Sequence, residues 1–150
     1  MIKKIKKHFK EIIEIKTTPH EIALGFAVGT GIAILPTFGL GVFIGVLILL
    51  IFERISKVSM FIAFAIWNPI VLIPMAGLSY GIGDFILTKE PIIKFQIEFL
   101  NQIFVYTRRY FVGNLILTAT LSTLSYGLVY FLVKKYKKKE IPILQKPLEI

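Results

Sequence analysis

The chain contains two long apolar blocks without a charged residue, at residues 22–52 and 58–83, and each is interrupted by proline near its middle. A bilayer core about 30 Å thick is spanned by roughly 20 helical residues. The first block is therefore too long for one upright span and too short for two. Proline removes a backbone donor and pushes the preceding residue out of helical geometry. We predict two Pro/Gly-interrupted helix pairs, re-entrant or broken, at residues 19–53 and 57–87.

Local signals indicate where the helices begin and how closely they pack. Thr18 can cap a helix that has Pro19 in its first turn and Glu21 at the third position, as in a capping box. Asn68 and Pro69 form a second cap-plus-proline pattern at the interruption of the second block. Glycines at G-x-x-x-G spacing predict close helix packing. These pairs are Gly25 with Gly29 and Gly41 with Gly45.

Further segments complete the predicted all-α bundle, which forms a single domain over residues 1–150. Apolar residues on one helical face and charged residues on the other predict an interfacial amphipathic helix at 1–17, and a second interfacial helix is predicted at 92–107. The uninterrupted apolar stretch at 110–133 is long enough for one tilted transmembrane helix. The basic segment 134–150 is predicted to be a mobile tail.

The two blocks also match each other at a shift of 38 positions, which aligns Pro36 with Pro74 and Gly39 with Gly77. Apolar, glycine-rich sequence produces such matches by chance as easily as by duplication, so an internal repeat stays open. Paired repeats with interrupted helices are the layout of many transporters, whose binding sites lie where the breaks meet.

Composition narrows the class to integral membrane proteins. The hydrophobic fraction is 55% and the mean hydropathy is +0.75, in long uncharged blocks rather than at one-face spacing. The chain has no cysteine, which excludes thiol catalysis and cysteine-ligated metals. No metal-ligand spacing or cofactor motif occurs, so we expect neither a metal nor a cofactor.

Most of the positive charge lies beside the apolar blocks, with six lysines before residue 21 and six after residue 133. This is typical of cytoplasmic flanks, and it attracts anionic headgroups of the bilayer. No basic groove interleaved with aromatic residues indicates nucleic acid. We expect a multi-pass protein of the cell membrane with both termini cytoplasmic, so one interrupted block must return to its own side. Which block returns is left open. The predicted membrane-surface lysines are Lys3, Lys4, Lys7, Lys134, Lys135, Lys137, Lys138 and Lys139.

The run PHEIALGFAVGTGIAILPTFGLG, followed by WNPIVLIP and YGIG, resembles a prokaryotic family of small membrane proteins catalogued as domain of unknown function 2062. The resemblance covers about residues 15–135. Its most specific residues are Pro19, Gly25, Gly29, Pro36, Gly39, Asn68, Pro69, Pro74, Tyr80 and Gly83. Relatives often have asparagine and threonine near positions where this chain has Ser56 and Val71. The family has no agreed activity, and relatives joined to glycosyltransferase-type domains imply a neighbourhood of lipid-linked sugars.

The candidate site is built from helix N-termini inside the membrane. Such ends carry unpaired N–H groups and a positive dipole end, which bind phosphate or carboxylate. Two are predicted, one after Pro36 and one after Asn68, and packing of the blocks would bring them to one anionic group. The predicted ligand-binding residues are Thr30, Pro36, Thr37, Gly39, Asn68, Pro69, Arg54 and Lys57. No catalytic residue is predicted.

Two functions fit this pattern. The first is a non-catalytic scaffold or accessory subunit for membrane-lipid or lipid-linked-sugar machinery, with a membrane glycosyltransferase or a second copy of the chain as partner. The second is a transporter or flippase-like protein that binds an anionic amphiphile, such as a lipid phosphate, at the breaks. An enzyme is not expected, because the apolar blocks hold no ionisable side chain of the kind that acid–base work needs.

Overall fold

The computed structural model describes residues 17–37, 39–87, 93 and 95–144, with side chains described as far as residue 138. These residues form five α-helices and no strand, so the all-α prediction is confirmed for the described part of the chain. The helices are α1 (Pro19–Ile34), α2 (Gly41–Ile51), α3 (Lys57–Ile66), α4 (Pro69–Ile86) and α5 (Glu98–Leu144).

The helix ends follow the capping signals. Thr18 Oγ1 accepts a hydrogen bond from Glu21 N at 3.2 Å, and Thr18 N donates to Glu21 Oε2 at 2.8 Å, which completes the capping box of α1. Asn68 Oδ1 caps α4 by accepting from two backbone N–H groups of its first turn, at 3.0 and 3.3 Å. Because α1 ends before Pro36 and α4 begins at Pro69, both predicted interruptions are confirmed.

Helix α5 runs antiparallel to α1. Lys137 Nζ donates to Thr17 O at the start of α1, and Asn114 Nδ2 donates to Ile34 O at its end, at 3.1 Å. Residues 17 and 137 therefore lie at the same end of the bundle, here named the near end. The opposite end, where α1 meets Pro36, is the far end.

The first interrupted pair is a hairpin that returns to the near end. Ser56 N donates to Glu21 O at 3.2 Å, and Ser59 Oγ donates to Ile22 O at 2.6 Å. The start of α3 therefore lies beside the start of α1, and α2 must run back from the far end to the near end. Within the bundle, α1–α2 is therefore the interrupted pair that returns to the end where it began.

The second interrupted pair crosses the bundle. Trp67 Nε1, at the end of α3, donates to Thr30 Oγ1 at 3.0 Å, which places this break partway along α1 and shows that α3 runs parallel to it. Helix α4 is antiparallel to α5, as two backbone contacts show: Ser79 with Gly113 and Gly83 with Arg109. Since α5 opposes both α1 and α4, the α3–α4 pair continues from the near end to the far end.

Glycine lets these helices touch through their backbones. A Cβ at Gly29 would lie 2.8 Å from a carbonyl oxygen of α3, and a Cβ at Gly45 would lie 2.9 Å from a phenylalanine ring of α3. At Gly83 and Gly113 an added Cβ would overlap the backbone across the α4–α5 contact. Close packing at the predicted G-x-x-x-G pairs is confirmed. Gly83 and Gly113 form a further close contact, between α4 and α5, which G-x-x-x-G spacing does not predict.

Helix α5 corrects the predicted division of the C-terminal part. The sequence predicts an interfacial helix at 92–107, a transmembrane helix at 110–133 and a mobile tail from 134, whereas one continuous helix spans Glu98–Leu144. That division is wrong for the described residues, because charged side chains alone do not break a helix and no proline interrupts residues 98–141. Residues 145–150 lie outside the described part.

Two other predictions meet the structure differently. The shift of 38 positions is not a structural correspondence, because Pro36 lies between two helices whereas Pro74 lies inside α4. The predicted interfacial helix at 1–17, with Lys3, Lys4 and Lys7, lies outside the described residues except for its last position.

Polar side chains lie inside the bundle and large apolar ones lie on its surface. The buried polar residues, each at most 8% exposed, include Thr30, Ser59, Ser79, Asn114 and Thr118. Apolar side chains between 69% and 92% exposed include Phe43, Leu50, Ile70, Phe85 and Phe131. By length and composition, Pro69–Ile86 and Glu98–Lys138 are apolar enough to cross a membrane, and the three remaining helices are shorter apolar ones.

Candidate functional site

The first break is supported by an amide from α5. Helix α1 ends at Ile34, and the chain turns through Pro36 to Gly39, whose φ of +90° is readily adopted only by glycine. The last carbonyls of a helix have no partner within it. Asn114 Nδ2 supplies a donor to Ile34 O at 3.1 Å. The break therefore persists because a side chain on another helix takes over the missing hydrogen bond.

Asn114 also joins α4 to this junction. Its Nδ2 donates to Ser79 Oγ at 3.3 Å, and its Oδ1 accepts from Thr118 Oγ1 at 3.4 Å. The residue is 2% exposed. One amide thus connects α1, α4 and α5 beside the far end. The sequence contains a signal for it, since Asn114 is the one amide side chain in the apolar stretch 110–133, and such an amide is typically a packing contact between helices.

The two breaks border one cleft of about 420 Å³. Four predicted site residues line it, namely Pro36, Thr37, Gly39 and Pro69. Three lining residues with polar atoms were not predicted, namely Trp67, Tyr110 and Asn114. The α1–α2 turn, the α3–α4 junction and α5 therefore meet around a common space.

Two other predicted residues use their polar side-chain atoms in hydrogen bonds of the fold and do not line the cleft. Thr30 is fully buried, and its hydroxyl accepts the hydrogen bond from Trp67 Nε1. Asn68 is not among the lining residues, and its Oδ1 occupies the first-turn N–H groups of α4. The predicted convergence of two free helix N-termini is therefore reduced to one. Helix α2 has no side-chain cap at Leu40, and its Gly41 lines the cleft.

The family model for an uncharacterized protein conserved in bacteria, DUF2062, matches residues 2–141. The chain belongs to this family. Neither curated proteins nor solved structures gave a match. The resemblance in the sequence is thereby confirmed, and the function of this DUF2062 chain has to be argued from its geometry.

The predicted cations Arg54 and Lys57 do not reach the cleft. Arg54 lies in the link between α2 and α3, at the near end, where it lines a second cavity with Glu21 and Glu53. Lys57 begins α3 at the same end, one residue after Ser56. The hairpin path of α1–α2 explains this, because it carries the link away from the far end.

The far end carries its own ion pair. Arg109 Nη1 lies 2.7 Å from Asp84 Oδ1 and donates to the Tyr80 hydroxyl at 3.2 Å. Arg109 is 9% exposed, and the Tyr80 ring stacks on Tyr106 with centroids 4.7 Å apart. This arginine is therefore committed to holding α4 against α5.

The side chains around the cleft are apolar or uncharged polar ones. Among the described lining residues no carboxylate, histidine, lysine or arginine occurs, and the described residues hold no group of three potential metal ligands. The hydroxyl of Thr37, the Tyr110 side chain and the first turn of α2 can form hydrogen bonds with a ligand. Apolar side chains of the first four helices form most of the rest of the wall, among them Ile32, Val42, Phe64, Leu72 and Met75.

Proposed function

We propose that this DUF2062 protein is a multi-pass membrane protein that binds an amphiphile in the cleft between its two helix breaks. The membrane setting is supported by the distribution of side chains. Monomeric soluble proteins rarely expose contiguous apolar patches of more than a few hundred Å², whereas apolar residues cover the outside of α2, α4 and α5 here. Lipid is the solvent that suits such a surface.

The helix lengths support a hairpin that dips into the bilayer. With a rise of 1.5 Å per residue, the 16 residues of α1 measure about 24 Å and the 11 residues of α2 about 16 Å. Both are shorter than a hydrocarbon core of about 30 Å. The α3–α4 pair and α5 would supply the full crossings. The lysines after residue 133 favour the near end as the cytoplasmic side.

The cleft is the single observation that carries the binding proposal. Its volume of about 420 Å³ lies within the roughly 300–1,000 Å³ of ordinary ligand sites. Its wall is largely apolar, and the uncapped first turn of α2 supplies donors at one side. This combination suits an amphiphile whose headgroup accepts hydrogen bonds, and a lipid phosphate is the class that a helix N-terminus favours.

Trp67 provides a direct test, since it is the one tryptophan of the chain and lines the cleft. A bromine-labelled alkyl phosphate should quench its fluorescence saturably in detergent micelles, and the matching alkyl alcohol should quench it less. Ala76→Leu, which fills the cleft from α4, should abolish the saturable part. Ala119→Leu, an exposed position on α5 outside the cleft, should leave it unchanged.

Two outcomes would contradict the binding proposal. One is quenching that rises linearly with probe in the native protein, as expected for non-specific partition into the micelle. The other is equal saturable quenching in native protein and Ala76→Leu. If binding holds, movement of a fluorescent lipid phosphate between leaflets of proteoliposomes distinguishes a transporter from a protein that only binds.

The second candidate is a non-catalytic scaffold or accessory subunit for lipid or lipid-linked-sugar machinery. It is favoured by Thr30, whose hydroxyl joins α1 to Trp67 at the end of α3, and by Asn68, whose Oδ1 caps α4, because neither residue lines the cleft. This function predicts that the protein co-purifies with a membrane enzyme, a glycosyltransferase being the class implied by the resemblance, and that the isolated protein moves no lipid. Lipid transport by the isolated protein would contradict it.

A further inference from the structure

A second cavity opens at the near end, away from the cleft between the breaks. It measures about 710 Å³ and lies between the first turns of α1 and the link that follows α2. Its apolar wall includes Leu24 of α1 and Phe52, which is 56% exposed. Its polar wall carries charges of both signs. A cavity with one apolar wall and one wall that carries both positive and negative charges has the character of a headgroup site at a membrane interface.

The charges in this cavity are available to a ligand. Glu53 and Arg54 are exposed, and neither forms a hydrogen bond or an ion pair with another described residue. Glu21 uses one carboxylate oxygen to accept from Thr18 N, so its other oxygen remains for a further donor. The cavity therefore offers a ligand the Glu53 carboxylate, the Arg54 guanidinium and the second carboxylate oxygen of Glu21.

The neighbouring imidazole is positioned from α5. His20 Nδ1 lies 2.6 Å from the Tyr126 hydroxyl, and the two rings meet edge to face with centroids 5.8 Å apart. Since Tyr126 orients the ring from the α5 side, the second ring nitrogen of His20 is left for the cavity that it lines. Within the polar wall, Glu21 is thus held by the capping box and His20 by α5.

We propose that this cavity binds the zwitterionic headgroup of an aminophospholipid, the phosphatidylethanolamine class. The primary ammonium, with three N–H donors, lies between Glu21 and Glu53. The phosphate lies on Arg54, whose guanidinium matches phosphate geometry. The acyl chains continue over Phe52 into the bilayer.

The charge balance separates this lipid class from its alternatives. Among the residues that line the cavity, two carboxylates against one arginine disfavour a headgroup that carries only negative charge, such as phosphatidylglycerol. The trimethylammonium of phosphatidylcholine has the same charge as ethanolamine but no N–H to donate to the carboxylates. The site is therefore different in kind from the attraction of anionic lipids to the lysine clusters. It rests on the proposed membrane setting and not on ligand binding in the cleft.

Native mass spectrometry of the full chain tests the assignment. The protein is released from nanodiscs containing equal amounts of phosphatidylethanolamine, phosphatidylcholine and phosphatidylglycerol of the same chain length, and the retained lipids are counted. The native protein should retain phosphatidylethanolamine preferentially. Arg54→Gln and Glu53→Gln should each lower that preference about twofold to fivefold, the range expected for exposed charge pairs. Lys57→Gln is the matched control, because it removes the same charge outside the cavity.

The outcomes are distinct. The proposal is supported if the native protein retains more phosphatidylethanolamine than either other lipid, if Arg54→Gln and Glu53→Gln lower this preference, and if Lys57→Gln leaves it unchanged. Equal retention of the three lipids, preference for phosphatidylglycerol, or equal effects of Arg54→Gln and Lys57→Gln would overturn it. All three positions are exposed, so the variants should keep the circular dichroism spectrum of the native protein. Failure here with intact Trp67 quenching would reject the headgroup site and leave the cleft proposal standing.

Discussion

Replacing Asn114 by leucine removes the hydrogen bond that shelters the first helix break. Two of the three partners of Asn114 have another hydrogen-bond partner in the variant. Ser79 Oγ already donates to Met75 O at 2.8 Å, and the Thr118 hydroxyl can rotate to donate to a backbone carbonyl of its own helix. Ile34 O has none of this kind. The cost is therefore dominated by one orphaned buried carbonyl, about 1–3 kcal/mol. Side-chain hydrogen bonds in membrane proteins average roughly 0.6 kcal/mol, which favours the lower half of that range.

The assay is reversible unfolding in mixed micelles of dodecylmaltoside and sodium dodecyl sulfate, followed by circular dichroism. Asn114→Leu should lower the free energy of unfolding by about 1–2 kcal/mol. Asn101→Leu is the control, since among the described residues Asn101 bonds to Phe95 N and O, outside the bundle, and it should cost less. A value for Asn114→Leu within about 0.5 kcal/mol of the native protein, the scatter of neutral surface changes, would refute the argument that this amide sustains the break.

Three further changes can be measured in the same assay. Gly83→Ala should lower the free energy of unfolding by about 1–3 kcal/mol, because the new Cβ forces α4 away from the Arg109 backbone. Gly77→Ala, whose Cβ meets nothing within 4 Å, should be neutral or slightly stabilising, and equal effects of the two variants would contradict the packing argument. Asp84→Asn leaves Arg109 buried without its anionic partner and should lower the free energy of unfolding by about 1–2 kcal/mol, less than for a fully buried pair because Asp84 is 42% exposed. An unchanged stability would mean that this ion pair does not stabilise the α4–α5 contact. Thr30→Val removes the acceptor of the Trp67 N–H, and it should lower the free energy of unfolding by about 1 kcal/mol and shift the tryptophan emission maximum. An unshifted emission spectrum would contradict that hydrogen bond.

The parts of the fold that follow from the sequence are those set by local chemistry. Proline and a capping side chain act on their own turn whatever lies around them, so the ends at Thr18, Pro36 and Asn68 were predictable. Glycine spacing likewise indicated where α1 and α2 approach α3. These signals need no knowledge of which helices are neighbours.

The remaining features depend on partners that are remote in the chain. The return of α1–α2 is visible only through contacts between remote residues, such as the bonds from Ser56 N to Glu21 O and from Ser59 Oγ to Ile22 O. The same path moves Arg54 to the near end and out of the predicted site. The continuity of α5 past Arg109 was missed because its charge resembles a membrane boundary, whereas Asp84 compensates it from α4. Contacts between residues that are far apart in the chain cannot be predicted from local patterns in a single sequence.

The account depends on the α1–α2 hairpin returning while α3–α4 crosses. The chain has no cysteine, so single-cysteine variants can be labelled cleanly by a membrane-impermeant maleimide in intact cells and in inverted vesicles. Glu53→Cys and Lys138→Cys at the near end should react from one side of the membrane, and Glu98→Cys at the far end should react only from the other. Labelling of Glu53→Cys and Glu98→Cys from the same side would contradict the proposed path of the chain.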